Sequence, residues 1–278
     1  MNKIKVVFMG TPSFAVPILE GLIKKYDVIM VVCQPDRKKN RKGNIIKPDT
    51  KILAENYGIK VFQPYNIRED YEEIINMKPD IIITCAYGQI IPEVILKFPQ
   101  YGCINVHGSL LPKLRGGAPI HHAIINGDKI TGITIMTMDK KMDAGDIISQ
   151  RSIEIDDDMI LDELYSKMSY LGRDLLLDTI PSIIDGTCNY IKQDEKEVTF
   201  GFNISKEEEK IDFNSKGIDI KNRVRGLNSI PGAYCFIDNL RMKIYEVEIK
   251  ENKKYKEKTI GEIVEINENS FGVVCSDS

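Results

Sequence analysis

Asn105 and His107 stand two residues apart in the run Gly102–Gly117, GCINVHGSLLPKLRGG. In an extended strand, residues i and i+2 share a face, so both side chains should point the same way at the strand's carboxyl end. Open α/β sheets hold their ligands at that end. An amide donor beside a titratable imidazole suits a site that stabilises an oxyanion and moves protons. A carboxylate within hydrogen-bond reach would fix the imidazole tautomer and favour its charged form. Asp143, in the turn-rich run Asp139–Asp146 (DKKMDAGD), leaves a strand's carboxyl end as His107 does. Asp139 and Asp146 are rivals that spacing alone does not separate.

Other chemistries fit less well. His121 and His122 fall on the helix expected after the motif and read as packing or surface residues. The three histidines lack HExxH spacing and the six cysteines form no CxxC pair, so no metal site is expected. Ser109 lacks the GxSxG context of an activated serine, and turn serines usually bond the backbone. The turn after the first strand, Gly10-Thr11-Pro12, is not GxGxxG, which argues against a nicotinamide cofactor.

The elements that must carry these residues alternate. Lys3–Met9 is an apolar strand, Phe14–Tyr26 a helix with Ser13 as N-cap, and Asp27–Cys33 a second buried strand. That order makes a right-handed parallel unit. Helices over Asp49–Tyr57, Glu69–Met77 and Ile90–Phe98 alternate with strands over Ile59–Phe62 and Asp80–Thr84. Beyond the motif come a helix (Ala118–Ile125) and strands over Ile130–Met138 and Ile147–Ile155. A long helix capped by Asp156-Asp157-Asp158 follows, which Pro181 should kink or end. Tyr190–Lys206 is irregular and polar and reads as a linker. A helix over Ile218–Gly226 and short strands joined by turns then suggest a small β-barrel.

Gln34–Pro48 is a polar loop carrying Arg37, Lys38, Lys39, Arg41, Lys42 and Lys47, with no acidic residue from Arg37 to Lys47. A charge run alone reads as solvated surface. Its place after a strand's carboxyl end favours contact with a phosphate backbone beside the site.

The formal net charge of −3 argues against a globally basic nucleic-acid binder but leaves room for a local basic patch. Scattered cysteines point to a reducing cytosol, and no run approaches transmembrane length. MNKIKVVFMG is too short an apolar run for a signal peptide.

In order along the chain stand FMGTPSFAVPILEGL, QPDR, KPDTKILAE, VFQP, PDIIITCAYGQIIP, GCINVHGSLLPKLRGGAPI, GDKITGITIMTMDKKMDAGD and SIPGAY. From about Lys3 onward the sequence resembles the methionyl-tRNA formyltransferase family. The resemblance implies a Rossmann-like, doubly wound, mostly parallel sheet followed by an OB-like β-barrel. It implies a catalytic domain over 1–189, a linker over 190–206 and a C-terminal domain over 207–278. It implies transfer of a formyl group from 10-formyltetrahydrofolate to the α-amine of methionine on initiator tRNA, without a metal, by a cytoplasmic monomer.

By the same resemblance Asn105, His107 and Asp143 are the catalytic trio, and Ser109, Leu110, Leu111 and Pro112 the folate-binding turn. Tyr87 and Gly88 lie near the pterin, and the basic loop, Arg41 above all with Arg37 and Lys42, enters the acceptor stem. A formyltransferase acting on a small amine, or a formyltetrahydrofolate hydrolase, would share the trio. The second domain and basic loop argue against the first, and mainly the basic loop separates the second. The family's barrel continues through a further strand with a Leu-Gln-Pro-x-Gly-Lys pattern and a last helix, whereas this sequence stops at Ser278. An open barrel edge is therefore expected. Ser229-Ile230 replaces the family's frequent Pro-Trp.

Overall fold

The computed structural model describes residues 3–39, 44–251, 255 and 257–278. By its contacts the chain divides into two units. The first holds residues 1–117, 132–153 and 165–200, and the second 118–131, 154–164 and 201–278.

The first unit begins with β1 (Lys5–Gly10), a single 3-10 turn (Ser13–Ala15), α1 (Val16–Lys25) and β2 (Asp27–Val32). Then come β3 (Arg37–Lys39), β4 (Asn44–Ile46), α2 (Asp49–Asn56), β5 (Val61–Phe62), α3 (Glu72–Asn76) and β6 (Ile81–Cys85). α4 (Glu93–Leu96) and β7 (Cys103–His107) lead to α5 (Pro119–Ile125), and β8 (Ile130–Thr137) and β9 (Ile147–Glu154) to α6 (Leu161–Asp185). The main sheet runs β5-β2-β1-β6-β7-β8-β9. Its strands pair in parallel from β5 to β7, and β7 pairs antiparallel with β8. This is the doubly wound, mostly parallel sheet that the apolar, β-branched runs imply. β6 is buried along its whole length, as a strand covered on both faces must be. The chain leaves β1 towards β2 and returns on the other side at β6, so the strand order reverses beside Gly10 and Cys85. Such a reversal opens the ligand crevice of these sheets.

Several boundaries differ from the sequence expectation. Ser13 does not cap α1. It opens the 3-10 turn, and the helix starts at Val16 with Pro17 in its first turn, where a missing N–H costs nothing. The polar loop contains a two-stranded pairing, Arg37↔Ile46 to Lys39↔Asn44. Asp156-Asp157-Asp158 lies ahead of α6, whose first turn carries Asp162 and Glu163 instead. Pro181 lies inside that helix and does not end it, since the helix runs on to Asp185. Ile180 and Ile183 are buried, and packing of that face holds the last turn.

Part of the expected linker is folded chain. Ile191 exchanges two backbone hydrogen bonds of 2.8 Å with Ile147, and Phe200 bridges to Arg115 in parallel. Residues 190–200 therefore belong to the first unit and 201–206 to the second.

The second unit contains α5 and α7 (Gly217–Gly226), with β10 (Ala233–Ile237) paired to β11 (Leu240–Ile244) and β12 (Ile263–Ile266) to β13 (Phe271–Val273). The short strands of the small β domain thus form two two-stranded antiparallel sheets. Ile211, Ile220, Val224, Leu227, Ala233 and Cys275 make its core. A Cβ on Gly226 would meet Ile125 Cγ1 at 2.8 Å, so this glycine lets α7 approach α5.

Candidate active site

β7 delivers Asn105 and His107 from one face of the strand, by its period of two. His107 is buried and Asn105 half-buried. Asn105 pairs with Thr84 of β6, and the Thr84 hydroxyl donates to Asn105 Oδ1 at 2.8 Å. A hydroxyl proton held on Oδ1 fixes the amide orientation and leaves Nδ2, the donor end, for a ligand. Thr84 itself is 2% exposed.

His107 Nε2 lies 3.0 Å from the carbonyl oxygen of Leu114. A carbonyl can only accept, so Nε2 carries the proton and Nδ1 is the nitrogen left to act. Nδ1 faces Asp143 Oδ2 at 3.7 Å, close enough for strong electrostatic coupling but beyond a direct hydrogen bond. Asp143 Oδ2 also accepts the backbone N–H of Gly116 at 2.8 Å. The structure thus brings Asp143 to the histidine. Asp139 accepts the N–H of Lys141, and the backbone of Asp146 pairs with Thr137.

The loop that carries Asp143 is tightly set. Asp143 has φ +50°, in the left-handed region that a side chain disfavours. A Cβ on Gly145 would stand 1.8 Å from the Thr137 carbonyl oxygen, so the loop can lie against the end of β8 only with glycine there. Lys140 binds Glu93 of α4 at 2.6 Å, and Lys140 and then Lys97 hold that carboxyl down to about 2.

The Ser109–Pro112 turn is pinned from β8 and β9. Thr134 Oγ1 donates to Ser109 O and accepts from Leu111 N, while Gln150 Nε2 donates to Leu111 O at 2.9 Å. The Leu111–Pro112 bond is cis. Ser109 Oγ donates to Lys113 O at 2.6 Å, which is a turn-closing role and not that of a nucleophile. Leu111 packs with Met136 and Ile147 in the core, so its side chain does not face the crevice.

Tyr87 likewise turns its ring into the core, 4% exposed, where burial pushes its phenol up. Its carbonyl oxygen accepts from Thr11 Oγ1 and Gln34 Nε2, which ties the loop after β6 to the ends of β1 and β2. Gly88 has φ +89°, and a Cβ there would stand in ordinary contact with Gln34 Nε2 at 3.6 Å. Arg37 is exposed at the start of β3, whereas Arg41 and Lys42 lie outside the described residues. The hairpin's root is held by Lys51, whose Nζ binds both oxygens of Asp36 and Gln63 Oε1.

Thr84, Leu114, Gly116, Arg115 and Gln193 all touch the trio or its supports, yet the type and spacing of none of them announce that role. The signal for Gly116 was the Arg-Gly-Gly exit of the motif. For Gln193, 50 residues beyond Asp143, there was none. A separate groove of about 490 Å³, lined by Phe14, Asp49, Ile52, Tyr165 and Tyr170 among others, holds no member of the trio. Among the described residues no group of three or more His, Cys, Asp or Glu could hold a metal, and no helix is long and apolar enough to cross a membrane.

Residues 2–180 match the formyl transferase family, and residues 203–278 match the formyl transferase C-terminal domain. Methionyl-tRNA formyltransferases of Bacillus thuringiensis (strain Al Hakam) and Bacillus cereus (strain AH187) are each 50% identical over 277 residues, covering 99% of this chain and 88% of theirs. Among solved structures, WlaRD, a sugar 3N-formyl transferase crystallised with dTDP and 5-N-formyl-THF, superposes with a TM-score of 0.74 at 24% identity, covering 100% and 96% of the two chains. An N-formyltransferase from Helicobacter canadensis, in complex with folinic acid and dTDP-3-aminofucose, gives 0.72 at 22% identity, covering 100% and 97%. These two structures speak to the fold, while the sequence matches place the protein: this chain belongs to the methionyl-tRNA formyltransferase family.

Proposed function

We propose that the chain transfers the formyl group of 10-formyltetrahydrofolate to the α-amino group of methionine on initiator tRNA. The chemistry rests on one observation: His107 Nδ1 faces the Asp143 carboxylate beside an amide whose oxygen is already occupied. The choice of substrate rests on the near full-length similarity to enzymes named for it.

The reaction joins a neutral amine to a formyl carbon, builds a tetrahedral oxyanion, and then releases the folate nitrogen. Asn105 donates from Nδ2 to that oxyanion. His107, charged, donates from Nδ1, and the Asp143 carboxylate stabilises the charge on the ring. As the bond to folate breaks, the proton of the attacking amine must reach the departing nitrogen. The His107–Asp143 pair relays it, directly or through a water. No side chain needs to become acylated, in keeping with a Ser109 hydroxyl engaged elsewhere. Holding amine and formyl group in line supplies much of the rate.

The residues present fit a flat folate ring as donor. Ile90 and Met142 are 65% and 52% exposed on the two loops that leave β6 and β8 beside the trio. Exposed apolar side chains at a crevice suit an aromatic face, and the backbone groups of those loops suit its polar edge. The Ser109–Pro112 turn contributes shape and main chain, since Leu111 is committed to the core. Arg37, Arg41 and Lys42 contact acceptor-stem phosphates. We assign the chemistry to residues 1–189 and further tRNA contact to 207–278.

The test is a substrate panel: methionine-charged initiator tRNA, glycinamide ribonucleotide, an amino-sugar nucleotide, and formyltetrahydrofolate alone. Formylation of the charged tRNA only is expected. Transfer to a small amine, or release of formate without an acceptor, would overturn the proposal.

A further inference from the structure

We propose that Gln193 is a positioning residue for the His107–Asp143 pair, clamping the loop that carries Asp143 through both amide protons. Its Nε2 donates to the carbonyl oxygens of Asp143 and Gly145, each at 2.8 Å. Its Oε1 accepts from Nε of Arg115 at 3.0 Å. Carbonyls only accept and a guanidinium only donates, so the amide has one possible orientation. Arg115, 4% exposed, is held in turn by Glu195 at 2.9 Å.

Arg115 sits between the two residues whose backbones touch the pair. Leu114 O accepts from His107 Nε2, and Gly116 N donates to Asp143 Oδ2. The segment carrying Gln193 holds these neighbours too: Leu114 N donates to Thr199 Oγ1, and Arg115 N to Thr199 O, both at 2.9 Å. Residues 193–199 therefore form a strap that sets the imidazole's tautomer partner from one side and the carboxylate's backbone from the other.

The strap explains how Asp143 persists at φ +50°, in the left-handed region that side chains disfavour. Such a conformation survives only where its surroundings fix it. Without the two donors from Gln193, the carbonyls of residues 143 and 145 lose their partners and the loop relaxes. The carboxylate then moves away from Nδ1.

The inference rests on the formyl-transfer reading, and its experiment separates the two. Gln193→Met removes every hydrogen bond of the amide at similar length. Gln193→Glu keeps an acceptor for Arg115 but loses both donors, so the fold retains its buried pairing. Both variants should lower kcat by roughly ten- to a hundredfold, as a displacement of about 1 Å does, with KM for the folate donor nearly unchanged. In an Asp143→Asn background, Gln193→Met should cost less than about twofold, because it acts through the charge already removed. An equal loss in both backgrounds, a change confined to KM, wild-type kcat in either variant, or loss of the fold in both would overturn the positioning role. If the wild-type chain itself transfers no formyl group, the functional reading fails instead.

Discussion

Replacing Asp143 by Asn isolates the charge of the pair from its geometry. Asn tolerates the left-handed conformation at least as well as Asp, so φ +50° remains accessible. Its Oδ1 can still accept the N–H of Gly116. What disappears is a negative charge 3.7 Å from His107 Nδ1. At an effective dielectric of about 20, that attraction is worth about 4 kcal/mol to a charged imidazole. Solvent reaches part of the carboxylate and screens that attraction, so the loss is about 3–4 kcal/mol, or roughly 10²–10³ in rate. Single-turnover formylation at saturating donor should show this fall while equilibrium binding of the folate stays within about twofold, since the carboxylate acts on the ring and not on the pocket. A variant that formylates at the wild-type rate would refute the electrostatic role, and one that loses folate affinity would make Asp143 a binding group.

Three further outcomes follow from the same geometry. Thr84→Val keeps the shape of β6 but frees Asn105 Oδ1; with an orientation preference of about 1 kcal/mol lost, kcat should fall two- to fivefold and return in Thr84→Ser. Gly145→Ala places a methyl group 1.8 Å from the Thr137 carbonyl oxygen, so the loop must shift and turnover should drop roughly a hundredfold without loss of the folded state. Burial pushes the Cys33 thiol up to about 11 and that of Cys103 to about 12, and Cys188 alone of the six is not buried. Titration of the native protein with a disulfide reagent at pH 8 should therefore show one fast thiol; two or more would contradict this packing.

The sheet was legible because its information is local. Val6–Met9, Val28–Val32 and Ile81–Ile83 are apolar, β-branched runs broken by turn residues, and the GCINVHGSLLP motif places its own strand end. The choice among Asp139, Asp143 and Asp146 was not local. It depends on how Gly145 packs against Thr137, which fixes which carboxylate faces β7. Gln193 was hidden for a related reason. A polar residue in an irregular run looks like linker until a partner 50 residues earlier in the chain accepts its hydrogen bonds. Thr84 looks in sequence like no more than the end of an apolar strand, because its role appears when Asn105 of the neighbouring strand comes into register. Pro181 obeys tertiary packing over local propensity, with Ile180 and Ile183 buried on either side.

The central claim is direct transfer between two bound substrates, and a labelled formyl donor tests it. Wild-type chain is mixed with methionine-charged initiator tRNA and 10-formyltetrahydrofolate labelled in the formyl carbon, quenched over a single turnover, and the label located. The account predicts that label passes from folate to the methionine nitrogen with none on the protein at any time. Label appearing first on the chain, or leaving as formate while the tRNA stays unformylated, would contradict it.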